Sequence, residues 1–284
     1  MNLFFNSLMN EFSDYGLIEN NECYYPEDYQ TSRSMIQKFE QVFLDIKNDK
    51  KFLRSNKGKI HVPHIIDFKT NKSNFKVFRK ELVQQSGLII LLVDISGSMN
   101  NNNKIIEVRN LVANLMISVE SSPKIELRVF TFEGGSDPVY DQKTGKHTHT
   151  RDLLYMNEIK TVKNCNQIVA GGSSPTDKAI HYVTKQFEKS RKNKTLLVLT
   201  DGSPNSNSTM GSSQRSLLET KKVLVKAESN KFNIFGCGFK VANHLDQIME
   251  NSFRGNYINL HDINDIEKYL FTALSSFVRS IKNV

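Results

Sequence analysis

Three observations predict an α/β fold with a mostly parallel central sheet flanked by helices on both faces. Leu88-Ile89-Ile90-Leu91-Leu92-Val93 is an unbroken apolar run ending in Asp94, the pattern of a strand buried on both sides. From there to the C-terminus, strand-like runs alternate with amphipathic stretches, the rhythm of a sheet built through crossover helices. Oxygen-bearing residues collect in three loops that leave or follow strands, where open α/β sheets gather their functional groups.

Residues 1–85 read as an N-terminal extension and 86–284 as the main domain. Residues 1–30 carry Tyr15, Tyr24, Tyr25 and Tyr29 among Asn and acidic residues and read as irregular. A helix is predicted over about 31–54, because Met35, Ile36, Phe39, Phe43, Leu44 and Ile46 recur at helical spacing, with Ser32 or Ser34 as its cap. Short strands follow over about 60–80, with Ile65-Ile66 and Phe75–Phe78 as candidates. After the 88–93 strand, residues 104–120 form an amphipathic helix with Ile105, Val108, Leu111, Val112, Leu115 and Val119 inward. Residues 125–132 read as a strand and 133–155 as a hairpin with a polar tip, marked by Gly134-Gly135, Asp137-Pro138 and Thr144-Gly145. His147 and His149 fall on this tip and read as solvated. Helices at 177–189, 216–228 and 245–251 then alternate with strands at 195–200, 232–236 and 257–260. A terminal helix over 263–281 closes the chain, with Tyr269, Leu270, Ala273, Leu274 and Phe277 on one face. Residues 203–213 form a Ser/Asn-rich loop.

Composition narrows the function classes. Of 284 residues, 38% are apolar, enough for a sizeable core. The net charge of +8 raises nucleic-acid binding, but the lysines are dispersed with acids among them and no nucleic-acid module accompanies them. They read as a solvated surface. Cys23, Cys165 and Cys237 are odd in number and widely spaced, which argues against a disulfide framework and a thiolate zinc site. The N-terminus lacks the charged and apolar regions of a secretory signal, and no run reaches the length of a membrane span. A cytoplasmic setting without membrane contact is the expectation. Neither a G-x-S-x-G elbow nor a G-x-x-x-x-G-K-[ST] loop occurs, which removes the common serine-hydrolase and P-loop signatures. The chain is not expected to be an enzyme.

The chemistry sits in the three loops. The first offers Asp94, Ser96 and Ser98 at alternate positions, with Gly97 allowing a tight bend. The second is Gly171-Gly172-Ser173-Ser174-Pro175-Thr176-Asp177, and the third Thr200-Asp201-Gly202. Carboxylate and hydroxyl oxygens without sulfur or imidazole select Mg²⁺, or Mn²⁺ or Ca²⁺. With only two carboxylates among neutral hydroxyls, the ion keeps an exchangeable position. An Asp or Glu from a protein partner can fill that position.

Asp94-Ile95-Ser96-Gly97-Ser98-Met99 after an apolar strand resembles the D-x-S-x-S motif of the von Willebrand factor A (vWA) family. The run Gly172–Ile180 resembles that family's second loop, and Leu199-Thr200-Asp201-Gly202 its third, so the likeness covers roughly 86–284. The resemblance implies a Rossmann-like vWA fold and a metal-ion-dependent adhesion site. Asp94, Ser96 and Ser98 would take the first-loop roles. Counted back from Ala179-Ile180, Ser174 falls at the family's ligating Thr and Thr176 at a less direct position; either hydroxyl is open as the one facing the ion. Asp201 would ligate directly or through water. The region from Gly58 through Val77-Phe78 to Asp94–Met99 is similar to intracellular members: the cobalt-chelatase T subunit, the magnesium-chelatase D subunit and the nitric-oxide-reductase accessory D protein. That likeness implies an adaptor for a MoxR-like AAA+ ATPase or, alternatively, the non-ATPase subunit of a chelatase inserting cobalt or magnesium into a tetrapyrrole.

Overall fold

A computed structural model describes residues 17–19, 29–48, 52–55, 59–60, 78–81, 86–120, 122–141, 146–202, 213–241, 243–261 and 263–282. Ten strands occur among them. They are β1 (Leu17–Glu19), β2 (Phe52–Ser55), β3 (Lys59–Ile60), β4 (Phe78–Glu81), β5 (Gly87–Asp94), β6 (Ile125–Asp141), β7 (Lys146–Ile159), β8 (Asn193–Thr200), β9 (Phe232–Phe239) and β10 (Tyr257–Leu260). The α-helices are α1 (Arg33–Asn48), α2 (Lys104–Glu120), α3 (Thr176–Phe187), α4 (Ser213–Ser229), α5 (Asn243–Ser252) and α6 (Ile263–Lys282).

Seven strands form the main sheet in the order β1-β7-β6-β5-β8-β9-β10. All neighbours pair in parallel except β6 and β7, which form an antiparallel hairpin. The mostly parallel α/β fold read from the sequence is therefore the fold observed. Central β5 is buried along its whole length, and its side chains alternate between two cores. Ile89, Leu91 and Val93 join a core with residues of α1, α2 and α6, while Leu88, Ile90 and Leu92 join one with residues of α3, α4 and α5. Cys237 is buried in the first of these. The chain runs from β5 to β6 on one side, then returns to place β8 on the other side of β5. This reversal opens a crevice beyond the carboxyl ends of β5 and β8.

The N-terminal region departs from expectation in two places. The helix ends at Asn48 rather than near 54, and Phe52–Ser55 is a strand paired antiparallel to β4. Asn48 and Asp49 are weak helix formers, and the β-prone Phe52-Leu53 finds a partner strand beyond them. Leu17–Glu19, read as irregular, is a three-residue edge strand beside β7. Of the predicted short strands, Ile65-Ile66 and residues 75–77 lie outside the described residues, as does the 203–212 loop; β4 begins at Phe78.

α1 lies against α2 and α6 and buries Met35, Phe39, Val42 and Phe43. Ser32 caps it, its Oγ accepting from Met35 N–H. A polar stripe on α2 ties this segment down. Asn110 Oδ1 accepts from Gln30 N–H, Asn114 Oδ1 accepts from Ser32 N–H, and Ser118 Oγ donates to the Ile36 carbonyl. Among the described residues, no helix is long and apolar enough to cross a membrane.

Candidate metal centre

The first loop leaves β5 at Asp94 and enters a 3₁₀ segment, Gly97–Asn103. The second precedes α3, and the third leaves β8 at Thr200. Because β5 and β8 are adjacent and parallel, the first and third loops emerge side by side. Backbone bonds bring in the second. Gly97 N–H donates to the Gly172 carbonyl and Gly171 N–H to the Ile95 carbonyl, at 3.0 and 2.7 Å. Ser173 and Gly134 of β6 exchange two N–H···O bonds, each 2.8 Å. This close approach requires glycine at 172: its φ is +63°, and a Cβ there would stand 2.1 Å from the Gly134 carbonyl oxygen.

The sequence-predicted residues converge into one hydrogen-bonded cluster. Asp94 is fully buried. Its Oδ2 accepts from Ser174 Oγ at 2.5 Å and Thr200 Oγ1 at 2.7 Å, and its Oδ1 accepts from Ser96 N–H at 2.8 Å. Ser96 Oγ lies 3.2 Å from Ser98 Oγ, which donates to Asp201 Oδ1 at 2.6 Å. Thr176 is fully buried one step behind, its Oγ1 touching Ser174 Oγ at 3.1 Å. Of the two hydroxyls left open by the sequence, Ser174 is the one on Asp94. Gly97 and Ser98 are exposed, so the cluster opens to solvent along the first loop.

Two participants were not singled out from the sequence. Thr200 belongs to the third loop of the sequence reading but carries no site role there; its side chain bonds Asp94. Lys104, the first residue of α2, is buried, and its Nζ donates to Asp201 Oδ2 at 2.9 Å. The sequence signal for it is weak: one lysine in a lysine-rich chain.

The electrostatics favour a cation. Asp94 is buried among neutral donors; burial raises its pKa above the ordinary value, and the hydrogen bonds from Ser174, Thr200 and Ser96 N–H only partly offset this. Asp201 adds like-charge repulsion. A buried carboxylate with neutral partners, ringed by hydroxyl oxygens and facing a second carboxylate, fits a hard divalent ion. Among the described residues, no cluster of three or more His, Cys, Asp or Glu side chains suited to a metal occurs. The hydroxyls therefore define this site.

The model of the von Willebrand factor type A domain matches residues 89–272, from β5 into α6. The chain belongs to this family. Among solved structures, the vWA chain is similar to the pilus adhesin SpaC of Lactobacillus rhamnosus GG in its open conformation. That match has a TM-score of 0.51 and 17% identity, over 69% of this chain and 30% of SpaC. Human COPII-coat protein Sec24c matches with a TM-score of 0.44 and 8% identity, over 68% of this chain and 32% of its own. The tip pilin GBS104 of Streptococcus agalactiae matches with a TM-score of 0.43 and 14% identity, over 68% of this chain and 100% of its own. The chain thus corresponds to less than a third of SpaC's length. The likeness to SpaC is one of fold. No curated protein sequence matches the chain.

Proposed function

We propose that this vWA domain is a non-catalytic, divalent-metal-dependent module that binds a protein partner through an Asp or Glu side chain. The observation that carries this reading is Asp94: a fully buried carboxylate, held by neutral donors, at the convergence of three loops. Asp94, Ser96, Ser98 and Ser174 would hold Mg²⁺, Mn²⁺ or Ca²⁺, with Asp201 direct or through water and Thr176 supporting Ser174. A bound ion would supply a Lewis-acidic position for an external carboxylate. The protein orients the hydroxyl oxygens, excludes water from the Asp94 side, and leaves the Ser98 side open to the partner. On the resemblance of Asp94–Met99 and the strand before it, the partner class is a MoxR-like AAA+ ATPase, in the cytoplasm.

The test is affinity capture with the full chain, with Mg²⁺ and with EDTA, comparing wild type with Asp94→Asn. Asn keeps an acceptor for Ser96 N–H. Ser174 and Thr200 have other oxygens to turn to, Thr176 Oγ1 at 3.1 Å and the Gly202 carbonyl at 3.2 Å, so the variant stays folded. Partner retained by wild type in Mg²⁺, and lost with EDTA or in the variant, supports the reading. Capture indifferent to both refutes it. An ATPase among the captured proteins supports the adaptor role; its absence removes that part alone.

A further inference from the structure

The loop motif leaves one charge at the centre unexplained. Asn102 and Asn103 adopt left-handed conformations (φ 55° and 57°), and Lys104 then opens α2 with a side chain only 8% exposed. Asn tolerates this conformation better than most residues. Lys104 Nζ donates to Asp201 Oδ2 at 2.9 Å, while Asp201 Oδ1 accepts from Ser98 Oγ at 2.6 Å. Both oxygens of Asp201 are thus engaged, one of them by a fixed positive charge. Asp94 has only neutral donors. Among the described residues the two carboxylates of the centre are therefore not equivalent: one carries a counter-charge and the other does not.

We propose that Lys104 is the resident cation of this centre and sets its charge balance. This rests on reading the centre as a divalent-ion site. With Asp201 neutralised by Lys104, an arriving divalent ion meets one net negative charge rather than two. Binding is weaker and more exchangeable than two free carboxylates would give, and more positive charge remains for a partner's carboxylate. Lys104 is thus an affinity-setting residue rather than a ligand. A purely structural role, in which Lys104 holds Asp201 in place for the ion, has the opposite sign: its loss would weaken ion binding.

The experiment is calorimetric titration of the full-length chain with MnCl₂, using wild type, Lys104→Met, Lys104→Gln and Lys104→Arg. Removing a unit positive charge beside a divalent ion is expected to tighten binding on the order of tenfold, even at water-like screening. That corresponds to about 1.4 kcal/mol. Lys104→Met and Lys104→Gln should both show the gain, and Lys104→Arg should match wild type. Should the Met variant fail to fold, the Gln variant, which keeps a hydrogen-bond donor, decides. Thermal unfolding in EDTA gives a second readout: the charge-removed variants should melt below wild type without metal, and the gap should close as Mn²⁺ is added. Wild-type binding with unchanged or weaker binding in both charge-removed variants overturns the proposal while leaving the metal centre standing. Binding by the charge-removed variants but not by wild type supports the charge balance set by Lys104 and overturns the reading of the wild-type centre as a divalent-ion site. No Mn²⁺ binding by any folded form overturns both.

Discussion

Ser174→Ala and Thr176→Val separate the two hydroxyls that the sequence could not distinguish. Ser174 Oγ donates to Asp94 Oδ2 at 2.5 Å, a bond to a charged group in a buried setting. Bonds of that kind contribute about 1.5–3 kcal/mol. Thr176 Oγ1 contacts the neutral Ser174 Oγ at 3.1 Å and the Ser174 carbonyl at 3.5 Å, and valine nearly matches its shape. A bond of that kind contributes about 0.5–1.5 kcal/mol. In EDTA, then, Ser174→Ala should lose roughly twice the stability of Thr176→Val. For a domain of this size the Ser174 loss is a Tm decrease of roughly 3–12 °C. The metal response should separate them further. An ion at a hundred times its Kd stabilises a native site by about 2.7 kcal/mol. Thr176→Val should keep most of that gain and Ser174→Ala should lose it. Differential scanning fluorimetry with and without Mn²⁺ measures both quantities. Equal losses in EDTA, or a full Mn²⁺ response in Ser174→Ala, would refute the placement of Ser174 at the ion.

Three further outcomes follow from the same geometry. Gly172→Ala forces a Cβ onto the Gly134 carbonyl at a left-handed position, so it should cost more than about 1 kcal/mol in urea unfolding and abolish the Mn²⁺ response. Phe39→Ala removes a fully buried ring between α1 and the main core; a loss of about 3–5 kcal/mol is expected, and a negligible loss would mean α1 is not docked. In EDTA, the raised pKa of Asp94 makes its contribution to stability fully present below the ordinary value of 3.8 and lost as pH rises through the folded-state value. The stability of wild type relative to Asp94→Asn should therefore increase as pH falls through the folded-state value toward 3.8; a flat difference would show that Asp94 titrates in the fold as it does in the unfolded chain.

Much of the fold was legible because its signals are local. α2 begins and ends where the apolar periodicity of 104–120 placed it, and the 88–93 run is the fully buried central strand. What failed depends on partners far away in sequence. Leu17–Glu19 is a strand only because Leu154–Met156 of β7 offers an edge to it. Phe52–Ser55 leaves helical conformation for a pairing with Phe78–Glu81. The polar stripe Asn110, Asn114 and Ser118 gives no sign in the sequence that it faces backbone groups of 30–36 rather than water. At the site, oxygen-rich loops were recognisable by residue type and spacing. Their closure was not, since it depends on the backbone exchange between Gly134 and Ser173. Lys104 escaped notice because nothing in its neighbours marks it as buried; the left-handed turn at Asn102 and Asn103 brings it to Asp201.

The most direct measurement is the binding of Mn²⁺ to the purified chain, followed by electron paramagnetic resonance or calorimetry, in wild type and Asp94→Asn. One Mn²⁺ should bind per wild-type chain, be displaced by excess Mg²⁺, and fail to bind the folded variant. A folded wild type that takes up no divalent ion, or an Asp94→Asn variant that binds as wild type does, would contradict a metal centre at Asp94.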